Sequence, residues 1–205
     1  RGAVNLARHI DNLKNGFGLP VCVAINAFPT DTEEEYAVIR EVCEKAGVPC
    51  ELSEVFAKGG EGGKALAKTV LSIIDANPAP APIQYTYDLD ETLEEKIDDV
   101  AKKIYRAGSV SYAPAAKKML AELEKLGYGK LPVCIAKTQY SFSDDASLLG
   151  APEGFTMNVR EVRLSAGAGF VVVICGPIMT MPGLPKHPAA MDIDCDAEGK
   201  ITGLF

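Results

Sequence analysis

The chain has 205 residues, 47% hydrophobic and 24% charged, which suffices for one sizeable core or for a domain with a smaller companion. A formal net charge of −7, with no basic stripe to offset it, argues against nucleic acid as a partner. No apolar run reaches membrane-spanning length, so no membrane is expected as a partner and the cytoplasm is the expected location.

Residue 1 is Arg rather than Met, and RGAVNLARHIDNLKN reads as a helix already under way, the pattern of a chain cut from a longer one. Leu6, Ile10 and Leu13 share one face at helical spacing. Residues 19–26 are a nearly continuous apolar run, as expected of a strand covered on both faces. In TDTEEE, Thr30 or Asp31 is the expected N-cap, with Glu33 or Glu34 as its reciprocal partner. The helix that follows carries Tyr36, Ile39, Val42, Cys43 and Ala46 inward and stops at Gly47, before Pro49. A second strand is expected at 50–55, then a helix at about 62–76 with Leu66, Val70, Ile73 and Ile74 inward. This alternation implies a parallel sheet with right-handed crossovers.

The proline-punctuated NPAPAPI at 77–83 marks the expected boundary between a unit 1–77 and a unit 78–205. YTYDLD then reads as a strand or an extended lead-in. Residues 92–106 read as an amphipathic helix carrying Ile97, Val100, Ala101 and Ile104 on one side. A strand at 109–112, a helix at 115–126 and a strand at 132–136 follow. After the loop-rich 139–157, strand pairs at 160–165 with 169–175 and at 191–195 with 201–205 make the tail β-rich and mostly antiparallel, with a hairpin turn at DAEGKI. The expected fold class is α/β, a parallel sheet with flanking helices, plus a β-rich C-terminal α+β subdomain.

The six cysteines form no CxxC pair, and His9 and His187 have no spaced partner. The cysteines read as small buried hydrophobes of a reducing compartment, and no metal site is expected. Phe28 and Pro29 follow the first strand, and Phe56 follows the second within SEVFAKGGEGG. Ligands of open α/β sheets bind at the carboxyl ends of strands, so these rings suit a clamp for a flat molecule; as caps on the core beneath their loops they would be equally at home. KGGEGGKA misses the phosphate-loop spacing, because Lys58 stands where a glycine is needed and Ala65 where a hydroxyl would hold magnesium. Its backbone N–H groups still suit some anion, or simply a flexible start to the next helix. SAGAGF lacks the third glycine of a dinucleotide fingerprint and reads as a turn.

Lys137, Thr138 and Gln139, with Tyr140, Ser141, Ser143 and Asp144, follow a strand end where substrates are handled. Turn hydrogen bonds account for Ser143 and Asp144 equally well. Asn26 ends the first strand, and its planar amide suits the reading of a nucleotide base. GPIMTMPGLPKHPAA reads as a rigid loop packed through Ile178, Met179 and Met181, and His187 has no triad arrangement. No catalytic residue is assigned.

HIDNLKNGFGLPVCVAINAFPTDTEEE, SEVFAKGGEGG, KTQYSFSDD and GFVVVICGPIMTMPGLPKHPAA, together with the closing ITGLF, resemble formate–tetrahydrofolate ligase across the whole chain. The resemblance is to the C-terminal portion of that family, whose body is similar to other phosphate-loop ligases. It implies an activity in which ATP phosphorylates formate and N10 of tetrahydrofolate attacks the formyl phosphate, forming 10-formyltetrahydrofolate, ADP and phosphate. It also implies a pterin gripped by Phe28, with Pro29 beside it, and by Phe56, with Leu52 lining the same pocket. Relatives often carry Trp at the second ring position; Phe56 offers less area and no indole N–H. Asn26 and Lys137, Thr138 and Gln139 are expected on the nucleotide side.

In the family an N-terminal phosphate loop holds the ATP phosphates and Mg, and these 205 residues contain no such loop. The N-terminal portion of the same enzyme is therefore an implied partner, and the chain alone is expected to be inactive as a ligase. The resemblance further implies a homo-oligomer and a monovalent cation in the full-length enzyme. The alternative is a non-catalytic folate-binding or subunit-assembly module that keeps the fold.

Overall fold

A computed structural model describes residues 2–79, 82–178 and 186–203. Helix α1 (Ala3–Asp11) runs on into a π-helical turn, Asn12–Gly16. Ile10 is buried and Leu6 half-buried, but Leu13 stands exposed. Strand β1 (Val23–Asn26) pairs in parallel with β2 (Cys50–Ser53), Val23 lying opposite Cys50 and Asn26 opposite Ser53. The strand is shorter than its apolar run and is not covered on both faces: Ile25 is buried, whereas Ala24 and Asn26 are exposed. The physical reason lies in the helices. One side of the strand pair packs on α1 and α2 (Glu33–Ala46), through a cluster of Ile10, Cys43 and Val48 with Leu6, Val23 and Cys50. On the other side, α4 (Lys64–Ala76) packs against β2, where Thr69 Oγ1 donates to Glu51 Oε1 at 2.6 Å.

Helix α2 is capped by neither expected residue but by Thr32, and its reciprocal partner is Glu35 rather than Glu33 or Glu34. Thr32 Oγ1 accepts from the Glu35 N–H at 3.3 Å, and the Glu35 carboxylate accepts from the Thr32 N–H at 2.9 Å. Asp31 is engaged elsewhere, as described below. At the other end Gly47 adopts φ +62, the left-handed conformation that glycine takes without strain. Past β2, a short helix α3 (Val55–Lys58) and a 3₁₀ turn, Gly59–Gly63, lead into α4. Leu66 and Ile73 are half-buried there, but Val70 and Ile74, expected inward, are exposed along with Leu71.

YTYDLD forms no strand; it passes through turns into α5 (Leu93–Asp99), which carries a second capping box at Thr92 and Glu95. A π-helical turn, Val100–Ile104, extends it, with Leu93, Ile97 and Ala101 fully buried. Strands β3 (Ser109–Tyr112), β4 (Val133–Ala136), β5 (Thr156–Ser165) and β6 (Phe170–Cys175) form one sheet in the order β3-β5-β6-β4, with α6 (Pro114–Lys125) packed on β5. Within the tail, the β5–β6 pair and the final hairpin are antiparallel as expected, but β3–β5 and β4–β6, which join it to the earlier strands, are parallel, so the four-stranded sheet is mixed. The two long strands carry every buried side chain of this sheet (Met157, Val159, Val162, Val171, Val173, Ile174, Cys175) and take the centre, leaving the short β3 and β4 as edges.

Strands β7 (Asp194–Cys195) and β8 (Ile201–Thr202) form the final hairpin, closed by Asp196 N–H donating to the Lys200 carbonyl at 3.0 Å. Both are shorter than expected, and Met191 lies in a 3₁₀ turn. Met179 and Met181 of the proline-rich loop, and the expected strand residues Leu204 and Phe205, lie outside the described residues. Of the cysteines, Cys43 and Cys175 are buried but Cys134 and Cys195 are exposed, which corrects their reading as uniformly buried hydrophobes. Among the described residues no helix is long and apolar enough to cross a membrane.

Helix α1 ties the two sheets together. Asn12 Nδ2 donates to the Ile104 carbonyl at 3.1 Å, Arg106 pairs with Asp11 at 2.7 Å, and Arg8 pairs with Glu153. His9 packs against Phe142 with ring centroids 4.7 Å apart and the planes tilted by 46°.

Candidate functional site

Parallel pairing sends β1 and β2 off the sheet at the same rim. The ladder ends where the Ala27 N–H donates to the Ser53 carbonyl at 3.0 Å, and each chain then enters its own loop. In the first loop, Phe28 to Asp31 form a closed turn. The Asp31 N–H donates to the Phe28 carbonyl at 3.1 Å, and the Phe28 N–H donates back to Asp31 Oδ2 at 2.8 Å. The same carboxylate oxygen accepts from the Tyr36 hydroxyl at 3.3 Å. Burial first, and then the Asp31 charge, push the Tyr36 phenol above its ordinary range, so the hydroxyl remains a donor.

In the second loop, the Glu54 N–H donates to the Gly62 carbonyl at 3.1 Å, and Lys58 pairs with Glu54 at 2.7 Å. These contacts close a tight turn from which Phe56 projects. Phe28 is 60% exposed and Phe56 88% exposed, which removes the reading in which both rings cap the core. Pro29 is exposed and Leu52 half-buried. Neither ring is among the described aromatic pairs, which are His9–Phe142 and Tyr105–Phe142. Leaving a large apolar side chain in water forfeits roughly 1.5–3 kcal/mol relative to burying it, which is the free energy a ligand covering either ring could recover.

A cavity of about 380 Å³ lies beside the first loop, lined by Asn26, Asp31, Glu35 and Tyr36 together with apolar residues of α1, β1 and α2. Lys137, Thr138 and Gln139 line a different cavity of about 440 Å³, with His9, Tyr105 and Tyr140. The structure thus brings these three together and places Asn26 apart from them. Lys137 is half-buried and committed to its own loop: its ammonium donates to the Thr138 carbonyl at 3.1 Å and to that of Ser141, and lies 4.9 Å from the Tyr105 ring. Burial lowers its pKa, with Asp144 opposing. Ser143 and Asp144 are buried and bonded within the fold, Ser143 to the Asp145 carbonyl at 2.9 Å and Asp144 to Asn158, which favours their turn-forming reading. SAGAGF is the β5–β6 turn, with Gly169 at φ +75. The lysines flanking the GGEGG turn are each paired, Lys58 with Glu54 and Lys64 with Glu61. His187 bonds Asp192 at 3.0 Å on the surface.

The family model for formate–tetrahydrofolate ligase matches residues 1–205, the whole chain. The chain belongs to the formate–tetrahydrofolate ligase family. Three residues of this candidate site escape a reading by motif: Tyr36 as the partner of Asp31, Asp31 as the closure of the Phe28 turn, and Gly62 as the seat of the Phe56 turn. The sequence does carry one signal for the first two. Pro29 followed by Asp31 is turn chemistry, with Asp able to bond a nearby backbone N–H.

Proposed function

We propose that this chain supplies the pterin pocket of an enzyme that joins formate to tetrahydrofolate with ATP. Phe28 and Phe56 stack on the two faces of the ring system, and Pro29 and Leu52 line its edge. The observation that carries this reading is the exposure of both rings on neighbouring loops at the carboxyl ends of paired parallel strands. Such a clamp promotes reaction by holding N10 of the folate against an acyl phosphate, and near-attack placement is worth roughly 7–11 kcal/mol in favourable cases. Residues 1–77 carry the folate loops, while residues 78–205 form the second unit.

Lys137, Thr138 and Gln139, with Asn26 from the other cavity, are assigned to the nucleotide side. Among the described residues no group of three or more His, Cys, Asp or Glu is placed to hold a metal ion. Magnesium and any monovalent cation are assigned to no residue of this chain, and no step is derived through them. The ATP phosphates are assigned to an N-terminal portion of the enzyme, the working form being a homo-oligomer in the cytoplasm. The 205-residue chain alone is expected to show no ATP-dependent formylation, because it holds no phosphate-loop sequence.

Titration of the chain with tetrahydrofolate tests the proposal. Phe56→Ala should weaken binding by about tenfold or more, the usual cost of deleting an aromatic anchor. Absence of binding in the parent chain, with stable self-association, would replace the folate pocket by an assembly module.

A further inference from the structure

Phe28 is held by its backbone. With the ring 60% exposed, side-chain packing contributes little to its direction, and the turn that carries it must set where it points. That turn is closed from both sides by one residue, since Asp31 donates its N–H to the Phe28 carbonyl and accepts the Phe28 N–H on Oδ2. The carboxylate is itself tethered to a rigid element. Tyr36 is buried on α2, and its hydroxyl donates to the same Oδ2 at 3.3 Å. Helix α2 is fixed in turn by its capping box and by Cys43 in the core.

We infer that Asp31 is a positioning residue for the folate reaction, transmitting the rigidity of α2 through Tyr36 to the Phe28 ring so that one wall of the clamp stands ready before the ligand arrives. This rests on the pterin-pocket reading above. A charged acceptor suits the task, because bonds to a carboxylate are shorter and stronger than neutral ones. Without Asp31 the turn samples other conformations, and ordering it on binding subtracts from affinity.

The experiment is tetrahydrofolate titration of the full chain and its variants Asp31→Ala, Asp31→Asn, Tyr36→Phe, Phe28→Ala and the double variant Phe28→Ala/Asp31→Ala. Asp31→Ala should bind about tenfold more weakly, as expected for loss of bonds to a charged acceptor. Asp31→Asn should restore most of the affinity, because its amide oxygen still accepts from Phe28 and Tyr36. In the Phe28→Ala background, adding Asp31→Ala should cost nothing further, since its effect acts through the missing ring.

An equal loss in both backgrounds would overturn the inference, because it would mean that Asp31 acts independently of Phe28. Wild-type affinity in Asp31→Ala, with Phe28→Ala weakened, would overturn it while leaving the clamp intact. Wild-type affinity in Phe28→Ala would remove the clamp itself, and the inference with it. Tyr36→Phe removes a single oxygen from a packed side chain and guards against an Asp31→Ala that fails to fold. It should bind about two- to threefold more weakly, for loss of one hydrogen bond; unchanged binding there would exclude the tether to α2.

Discussion

Gly62 lies so close to Glu54 that a Cβ on the glycine would stand 2.5 Å from both the carbonyl carbon and the carbonyl oxygen of Glu54. The Glu54 N–H reaches the Gly62 carbonyl at 3.1 Å, so the two backbones approach with room for hydrogen alone. Phe56 leaves the fold two residues after Glu54, and its direction depends on this closure. Gly62→Ala is therefore expected to destabilise the chain by about 1–3 kcal/mol, as overpacking against backbone does. Urea denaturation measures that loss. Tetrahydrofolate titration of the same variant should show weaker binding than the parent.

Asp144 is a buried carboxylate whose Oδ2 accepts two bonds from one residue, the Asn158 N–H at 3.0 Å and Asn158 Nδ2 at 3.0 Å. Asp144→Ala leaves a backbone donor of β5 without its partner. The expected cost is about 2–3 kcal/mol, in line with bonds to charged groups. Asp144→Asn should cost less, because its carbonyl oxygen can still accept. Equilibrium unfolding of both variants decides; equal losses would show that the acceptor itself contributes nothing.

Lys96 is fully buried on α5, and its ammonium donates to the carbonyls of Gly129 at 2.5 Å and Leu131 at 3.3 Å. Burial holds its pKa below the ordinary 10.5, with Glu124, Glu91, Asp90 and Asp88 opposing. Between the lowered folded value and 10.5 the unfolded chain binds more protons than the folded one, so stability contributed at this site rises with pH in that window. The stability of the parent relative to Lys96→Met should thus increase as pH approaches 10.5, by no more than about 1.4 kcal/mol per pH unit. Denaturation curves at several pH values between 7 and 10.5 supply the comparison, and a flat or falling difference would reject it.

Much of the fold was legible locally. Gly47 announces the end of α2, and β3 falls at residues 109–112 as the alternation requires. The choice of cap was not legible, because Thr30, Asp31 and Thr32 are all competent and side-chain bonding to Phe28 and Tyr36, three and five residues away, commits Asp31 to another task. Lys96 carries no local mark of burial either. The carbonyls that satisfy it come from 33 and 35 residues further along the chain. The mixed sheet has the same cause, since nothing within β5 or β6 states that β3 and β4 will flank them. Positions of Phe28 and Phe56 at strand ends could be read directly, but their exposure depends on what the rest of the fold leaves uncovered.

The parallel ladder between β1 and β2 also acts as a ruler. Four residue pairs, from Val23 with Cys50 to Asn26 with Ser53, determine how far each chain has travelled when its aromatic emerges. A slip of one residue would shift one ring relative to the other by roughly 3.3 Å, close to the thickness of an aromatic plane, and would turn inward-facing side chains outward. The cost of misregister thereby falls on the hydrophobic cluster around Cys43. In the proposed clamp the spacing of the two rings is inherited from backbone geometry, so substitutions at the ring positions themselves can alter grip without altering gauge.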